Sequence, residues 1–293
     1  VTVGTPPGLV EPGRGAGLLD VFRQRYLLRL IVRQEMRVRY HRSVLGLLWS
    51  YVKPGVQFTV YFFALGVFLR LNRSLEDFAV YLFSGLVLLN FFGEAFGNAA
   101  RSIVRNAPLV KKIYLPRELF PVATTYVAAI HLLPQVVVLF VAALFVGWRP
   151  SDGAFAAAVL GFAVVAVLAT GLGLLLAALN VYYRDFENVV DLVLVVVVWL
   201  SPVLYPWSFA KEAIGPAWLE QLYLANPLTI AAQLFQRAFW YNGATGAPEA
   251  PAFEEIIPDL FTRGIVALLG SFVVLIIGQL AFSRLEGRFA QEL

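Results

Sequence analysis

Six apolar runs dominate this chain and constrain its fold more than any other feature. They cover about 51–71, 78–100, 119–147, 154–180, 188–206 and 264–282. A hydrocarbon layer about 30 Å thick takes about 20 helical residues to cross, and each run reaches or approaches that length. Backbone inside a bilayer must satisfy its own hydrogen bonds, which restricts spanning segments to helices and closed barrels. Barrel strands alternate in polarity, whereas AAAVLGFAVVAVLATGLGLLLAAL and VLVVVVW are apolar on every side. The runs therefore predict an all-α integral membrane fold with six transmembrane helices. A composition that is 59% hydrophobic and 14% charged argues against a soluble protein of 293 residues. Residues 1–17, with three prolines and five glycines, read as a flexible tail, and 18–293 as one transmembrane domain.

Orientation follows from the basic residues. With six spans and the N-terminus inside, 17 of the 23 lysines and arginines fall on cytoplasmic segments and six on external ones. Basic residues resist translocation. Both termini, 106–121 and 180–191 are thus expected in the cytoplasm, and 207–262 outside. No cleavable signal precedes the first span, which is expected to direct insertion itself.

The connecting segments carry the individuality. From 18 to 42, Arg25, Arg29, Arg33 and Arg37 recur every fourth residue and fall on one slowly turning stripe. Leu27, Leu28, Ile31 and Val32 lie mostly opposite, which predicts an amphipathic basic helix in the headgroup layer. Its arginines serve either as an anchor or as contacts for an anionic lipid head. The second run carries Glu94 between Gly93 and Gly97, a spacing that allows close helix approach but is common by chance. A carboxylate deep in lipid costs about 3 kcal/mol on the gentlest scale, so Glu94 is expected to be paired or wet. His131, alone in the third run, reads as a packing residue with a satisfied ring rather than a metal ligand. The fifth run ends in WLSPVLYPW, where Pro202 and Pro206 break the helix. Beyond it, AWLEQLYLANP and LTIAAQLFQRAFW are apolar but too short to cross, and are expected to lie along or dip into the external face.

One segment stands apart. NAPLVKKIYLPRELFP, 106–121, is short, basic, proline-bounded and set between two spans. It is neither a span nor a domain, and is expected to press against something outside the membrane.

Resident chemistry is scarce. No lysine follows a glycine, so the phosphate-binding loop Gly-x-x-x-x-Gly-Lys-Ser/Thr is excluded. With no cysteine and two histidines, thiol chemistry and a histidine-rich metal site are unsupported. Asp185 and Glu187 could hold a metal-bound nucleotide sugar, as in a membrane glycosyltransferase or a scaffold for one, but the surrounding loop is about ten residues long. Uphill transport would need an outside energy source, and nothing points to a nucleic-acid partner.

VRYHRSVLGLLWSYVKP, NAPLVKKIYLPRELFP, YRDFENVVDLVLVVVVWLSPVLYP and ANPLT together resemble the membrane subunit of type-2 ATP-binding-cassette exporters. The likeness is to the branch that exports O-antigen, teichoic acid and related polymers, and within it to mycobacterial galactan exporters. It implies a homodimer with two copies of a separate ATPase that carries the ATP and magnesium, no cofactor in this chain, and a cargo of polysaccharide on a polyprenyl diphosphate. A coupling helix to the ATPase would be formed by Arg105, Asn106, Pro108, Leu109, Lys111, Lys112, Ile113 and Tyr114. Arg33, Arg37, Arg39 and Arg42 would meet the lipid diphosphate, since arginine forks match that group. Phe58, Tyr61, Phe62, Phe92, Trp199, Tyr205 and Trp207 would line the glycan channel. A type-2 exporter of a drug or small lipid would share this fold without needing an aromatic-lined channel.

Overall fold

A computed structural model describes residues 17–41, 46–73, 75–112, 115–241 and 256–293. Arg42, Ile113, Tyr114 and nearly all of the 1–17 tail lie outside the described residues. Two helices, α1 (Leu18–Arg23) and α2 (Arg25–Tyr40), replace the single one expected over 18–42. They part at Gln24, whose φ of −97° and ψ of 45° leave the helical region. Along α2, Leu28 and Ile31 are buried while Arg25, Arg29, Arg33 and Arg37 are exposed, as the four-residue spacing requires.

The first apolar run forms α3 (Trp49–Tyr61), which passes into a π-helical stretch over Phe62–Phe68. α4 (Phe78–Arg105) then leads through a short α5 (Ala107–Lys112) to α6 (Leu119–Phe145) and α7 (Ala154–Tyr182). The fifth run is helical only as α8 (Phe186–Trp199). Three short helices follow: α9 (Trp207–Ile214), α10 (Ala217–Leu224) and α11 (Pro227–Phe239). The chain closes with α12 (Leu260–Leu285) and a one-turn α13 (Phe289–Glu292). Among the described residues, four helices are long and apolar enough to cross a membrane: α4, α6, α7 and α12. The first and fifth runs, expected as spans, are the π-containing helix and the 14-residue α8.

Packing is built on small residues. Where α7 meets α12, a Cβ on Gly278 would sit 2.2 Å from the carbonyl oxygen of Gly171, and a Cβ on Gly171 would sit 2.7 Å from the Cα of Leu275. Backbone meets backbone there, the closest approach two helices can make. Gly173 brings α7 onto α4 in the same way, opposite Ala99. The Gly93/Gly97 pair plays a milder part, receiving the Leu194 side chain of α8 at 3.4–3.6 Å.

α11 packs against α4, α7 and α12, with almost its whole length buried. Its start explains ANPLT: the Asn226 side chain accepts from the Leu228 N–H at 3.0 Å, and Pro227 takes the first helical position, where no N–H is needed. α11 also repairs the break after α8. Beyond Trp199 the backbone leaves the helix, and its carbonyls need new donors. Tyr205 Oη donates to Trp199 O at 2.7 Å, Thr229 Oγ1 to Leu200 O at 3.3 Å and Gln236 Nε2 to Pro202 O at 3.1 Å. Tyr81 Oη, from α4, lies 2.9 Å from Pro202 O. Irregular backbone at this depth is tolerated because protein side chains cover it.

Candidate functional site

At one end of the helix bundle, α2, α5, the start of α6 and the last residues of the chain come together. A cluster of buried side chains joins Leu28, Ile31, Val110, Phe120, Phe282 and Phe289. α5 divides into two faces against this cluster. Val110 is buried and Leu109 half-buried, whereas Pro108, Lys111 and Lys112 are exposed. The outward surface of α5 is therefore basic, and Leu109 packs on the chain's own core.

Polar ties hold the root of α5 and the neighbouring start of α6 in place. Asn106 Nδ2 donates to Glu35 Oε1 at 3.2 Å, and Arg105 Nη2 lies 3.7 Å from Glu35 Oε2. Asn106 also bonds Ser102 O at 2.9 Å, and Gln279 Nε2 donates to the buried Glu118 at 3.0 Å. Glu35 thus ties α2 to the root of α5. The sequence reading passed it over, although it is the one acidic residue in 25–42. Phe289 was also missed. It is fully buried, edge-on to Phe282 and Tyr182, with the Arg117 guanidinium 5.6 Å from its ring centre. Removing its ring leaves a cavity beneath α5, so Phe289→Ala is expected to lower stability by about 3–5 kcal/mol. A melting curve of the purified protein reads this directly, and an unchanged midpoint would place Phe289 outside the core.

The predicted lipid-contact arginines differ in their surroundings. Arg33 and Arg37 are exposed and have no ion pair among the described residues. Arg39 is engaged. Its Nη1 is paired with Glu94 Oε1 and lies 3.2 Å from His131 Nδ1. His131 Nδ1 is 2.7 Å from the same Glu94 oxygen, and His131 Nε2 is 2.8 Å from Tyr40 Oη, which also bonds Ser50 Oγ. One set of roles satisfies every group: Nδ1–H donates to Glu94, Tyr40 donates to Nε2, and Ser50 donates to Tyr40. Glu94 is thus paired, and His131 is buried with both ring nitrogens satisfied. A pocket of about 670 Å³ opens beside this chain, lined among others by Arg39, Lys53, Glu94 and Gln135. That volume lies in the range of small-molecule sites.

The aromatic candidates separate into two groups. Phe58 and Phe62 stack on each other, and through Phe83 and Phe78 they hold α3 against α4. With Tyr61 they remain half-buried, while Trp199 is exposed and Tyr205 half-buried. Phe92 and Trp207 are a correction to the sequence reading. Phe92 is buried against Phe96, and Trp207 is buried against Tyr223. Neither offers a free ring face to a passage. Polar residues mark one face of each helix, Asn90, Glu94 and Asn98 on α4 and Lys211 and Glu212 on α9, but they do not tell whether the opposite, apolar face meets lipid, a passage or protein.

No group of three or more metal-ligating side chains occurs among the described residues. The arrangement is a basic helix, a short clamped helix with an exposed basic face and a charged pocket between helices. The profile of ABC-2 type transporters matches residues 26–240, most of the chain. The chain belongs to the ABC-2 type transporter family. As an ABC-2 membrane subunit it is a multi-pass membrane protein and a transport component, not an enzyme, with ATP hydrolysis supplied by a separate partner. Among relatives, it is 28% identical over 270 residues to the O-antigen export system permease protein RfbA of Klebsiella pneumoniae, covering 90% of this chain and 94% of that one. It is 26% identical over 225 residues to the RfbA permease of Myxococcus xanthus, covering 75% and 83%. It is also 24% identical over 230 residues to the capsule polysaccharide export inner-membrane protein CtrC of Neisseria meningitidis serogroup A, covering 76% and 82%.

Proposed function

We propose that this ABC-2 chain is the membrane subunit of a polysaccharide exporter, and that its cargo is a glycan carried on a polyprenyl diphosphate, galactan being the first candidate. The observation that carries this reading is the similarity to the O-antigen permease, which covers 90% of this chain and 94% of that one. In this reading six segments cross the membrane with both termini in the cytoplasm. Two copies of the chain enclose the passage and two ATPase subunits drive it. α5 seats on the ATPase through its exposed basic face. The arginine stripe with Arg33, Arg37, Arg39 and Arg42 meets the diphosphate, and Phe58, Tyr61, Phe62, Trp199 and Tyr205 offer apolar contact to sugar rings. α3 and α8 support the pairing of two copies: α3 buries no residue completely and α8 only Val190. Such apolar faces take lipid or a second copy as their cover.

The test is co-purification and stimulation. The chain is expected to co-purify with its ATPase, and lipid-linked glycan is expected to raise ATP hydrolysis by the complex several-fold. Stimulation by small amphiphiles and none by the glycan would turn the assignment to a drug or lipid exporter.

A further inference from the structure

Glu94 occupies the place on Arg39 that a phosphate oxygen would take. We propose that Glu94 is an intramolecular stand-in for the anionic headgroup, holding Arg39 in the resting protomer and releasing it when a lipid diphosphate enters the pocket beside α3. This rests on the lipid-diphosphate reading of the arginine stripe, and adds to it how arrival of the cargo is sensed.

Four features support the exchange. Among the described residues Arg39 meets Glu94 and His131 through Nη1 alone, so the rest of the guanidinium fork remains for a second, bidentate partner. Lys53 of α3 lines the same pocket and supplies a second positive charge, which one carboxylate does not balance. Glu94 is not stranded by the exchange, because His131 Nδ1 stays 2.7 Å from its oxygen. The usual penalty for splitting a half-buried ion pair, an unpartnered charge, is thereby avoided. Finally, Gln135 is buried at the pocket wall with its Nε2 donating to His131 O, while its Oε1 has no hydrogen-bond partner among the described residues. A buried acceptor of this kind calls for a donor, and a hydroxyl on the sugar next to a diphosphate is one.

The exchange has a mechanical consequence. Arg39 stands one helical turn beyond Glu35 on α2, and Glu35 holds Asn106 and Arg105 at the root of α5. Release of Arg39 from Glu94 loosens α2 from the middle of α4, while Tyr40 keeps α2 on His131 and Glu35 keeps it on the root of α5. A headgroup in the pocket is thereby reported to the segment that faces the ATPase.

The experiment measures binding of radiolabelled geranylgeranyl diphosphate to the permease–ATPase complex in lipid nanodiscs. Glu94→Gln removes the competing charge and is expected to bind about tenfold tighter, the equivalent of one charge-assisted hydrogen bond. Lys53→Gln is expected to bind more weakly, and Arg39→Gln to abolish both binding and the gain from Glu94→Gln. Should Glu94→Gln fail to fold, Glu94→Asp, which draws the carboxylate back from Arg39, is expected to tighten binding by a smaller factor. Unchanged or weaker binding in the Glu94 variants, with Arg39→Gln still damaging, would overturn the competition and leave the headgroup reading standing. Unchanged binding in all variants would remove the headgroup from this pocket altogether. Inorganic diphosphate competing as strongly as the lipid would assign the pocket to a soluble anion and overturn the proposal.

Discussion

Gly278→Val is expected to destabilise the folded bundle strongly, and Gly270→Ala, eight residues earlier on the same helix, to leave it intact or slightly firmer. At Gly278 even a single Cβ would lie 2.2 Å from the carbonyl oxygen of Gly171 and 3.0 Å from its carbonyl carbon. Both atoms are backbone, so no side chain can swing aside and the two helices must part. Overpacking of this kind costs about 1–3 kcal/mol, and a branched side chain at a backbone contact belongs at or above the upper end. Folded proteins have only about 5–15 kcal/mol in reserve. At Gly270 a Cβ meets nothing within 4 Å, so alanine there brings only its better helix propensity, up to about 1 kcal/mol. Melting of the detergent-purified variants, followed by size exclusion, checks both signs. Equal midpoints for Gly278→Val and the parent would show that α7 and α12 do not meet through these glycines.

The double change Lys111→Glu and Lys112→Glu is expected to cut export at least about tenfold without disturbing the fold, since opposing charges at an interface cost several kcal/mol. Both side chains are exposed, on the side of α5 away from buried Val110. They also supply positive charge at the C-terminal turn of the helix, where reversal adds a small penalty, about 0.3–1 kcal/mol per charge. The loss should therefore appear as weaker capture of the ATPase that added salt partly relieves, with the melting midpoint little changed. Leu109→Asp acts differently. Leu109 is half-buried against the chain's own core, so an aspartate there is expected to lower stability as well as export. Full ATPase capture and export by the lysine double variant would move the docking surface away from α5.

Hydropathy and spacing alone carried much of this architecture. The runs at 78–100, 119–147, 154–180 and 264–282 are continuous helices, because length and apolarity are local properties that lipid and core reward alike. The exposed arginine stripe of α2 and the stop before Pro202 were also readable, since each depends on a few neighbouring residues. The basic connector after the second run was visible as a short element, and its helix over Ala107–Lys112 fits that reading.

Tertiary contact decided the rest. Arg39, Glu94 and His131 are each tens of residues apart along the chain, and only the packing of α6 against both α2 and α4 makes them one hydrogen-bonded group. Gly93 and Gly97 advertised close approach, but the backbone contact formed at Gly171 and Gly278, which carry no stronger local signal. Phe92 and Trp207 looked as available as Phe58 or Trp199, yet they are covered. An apolar face can meet lipid, a passage or another helix, and the sequence does not mark which. Which face is buried depends on the shapes of neighbouring helices, and those are set by residues far away in the chain.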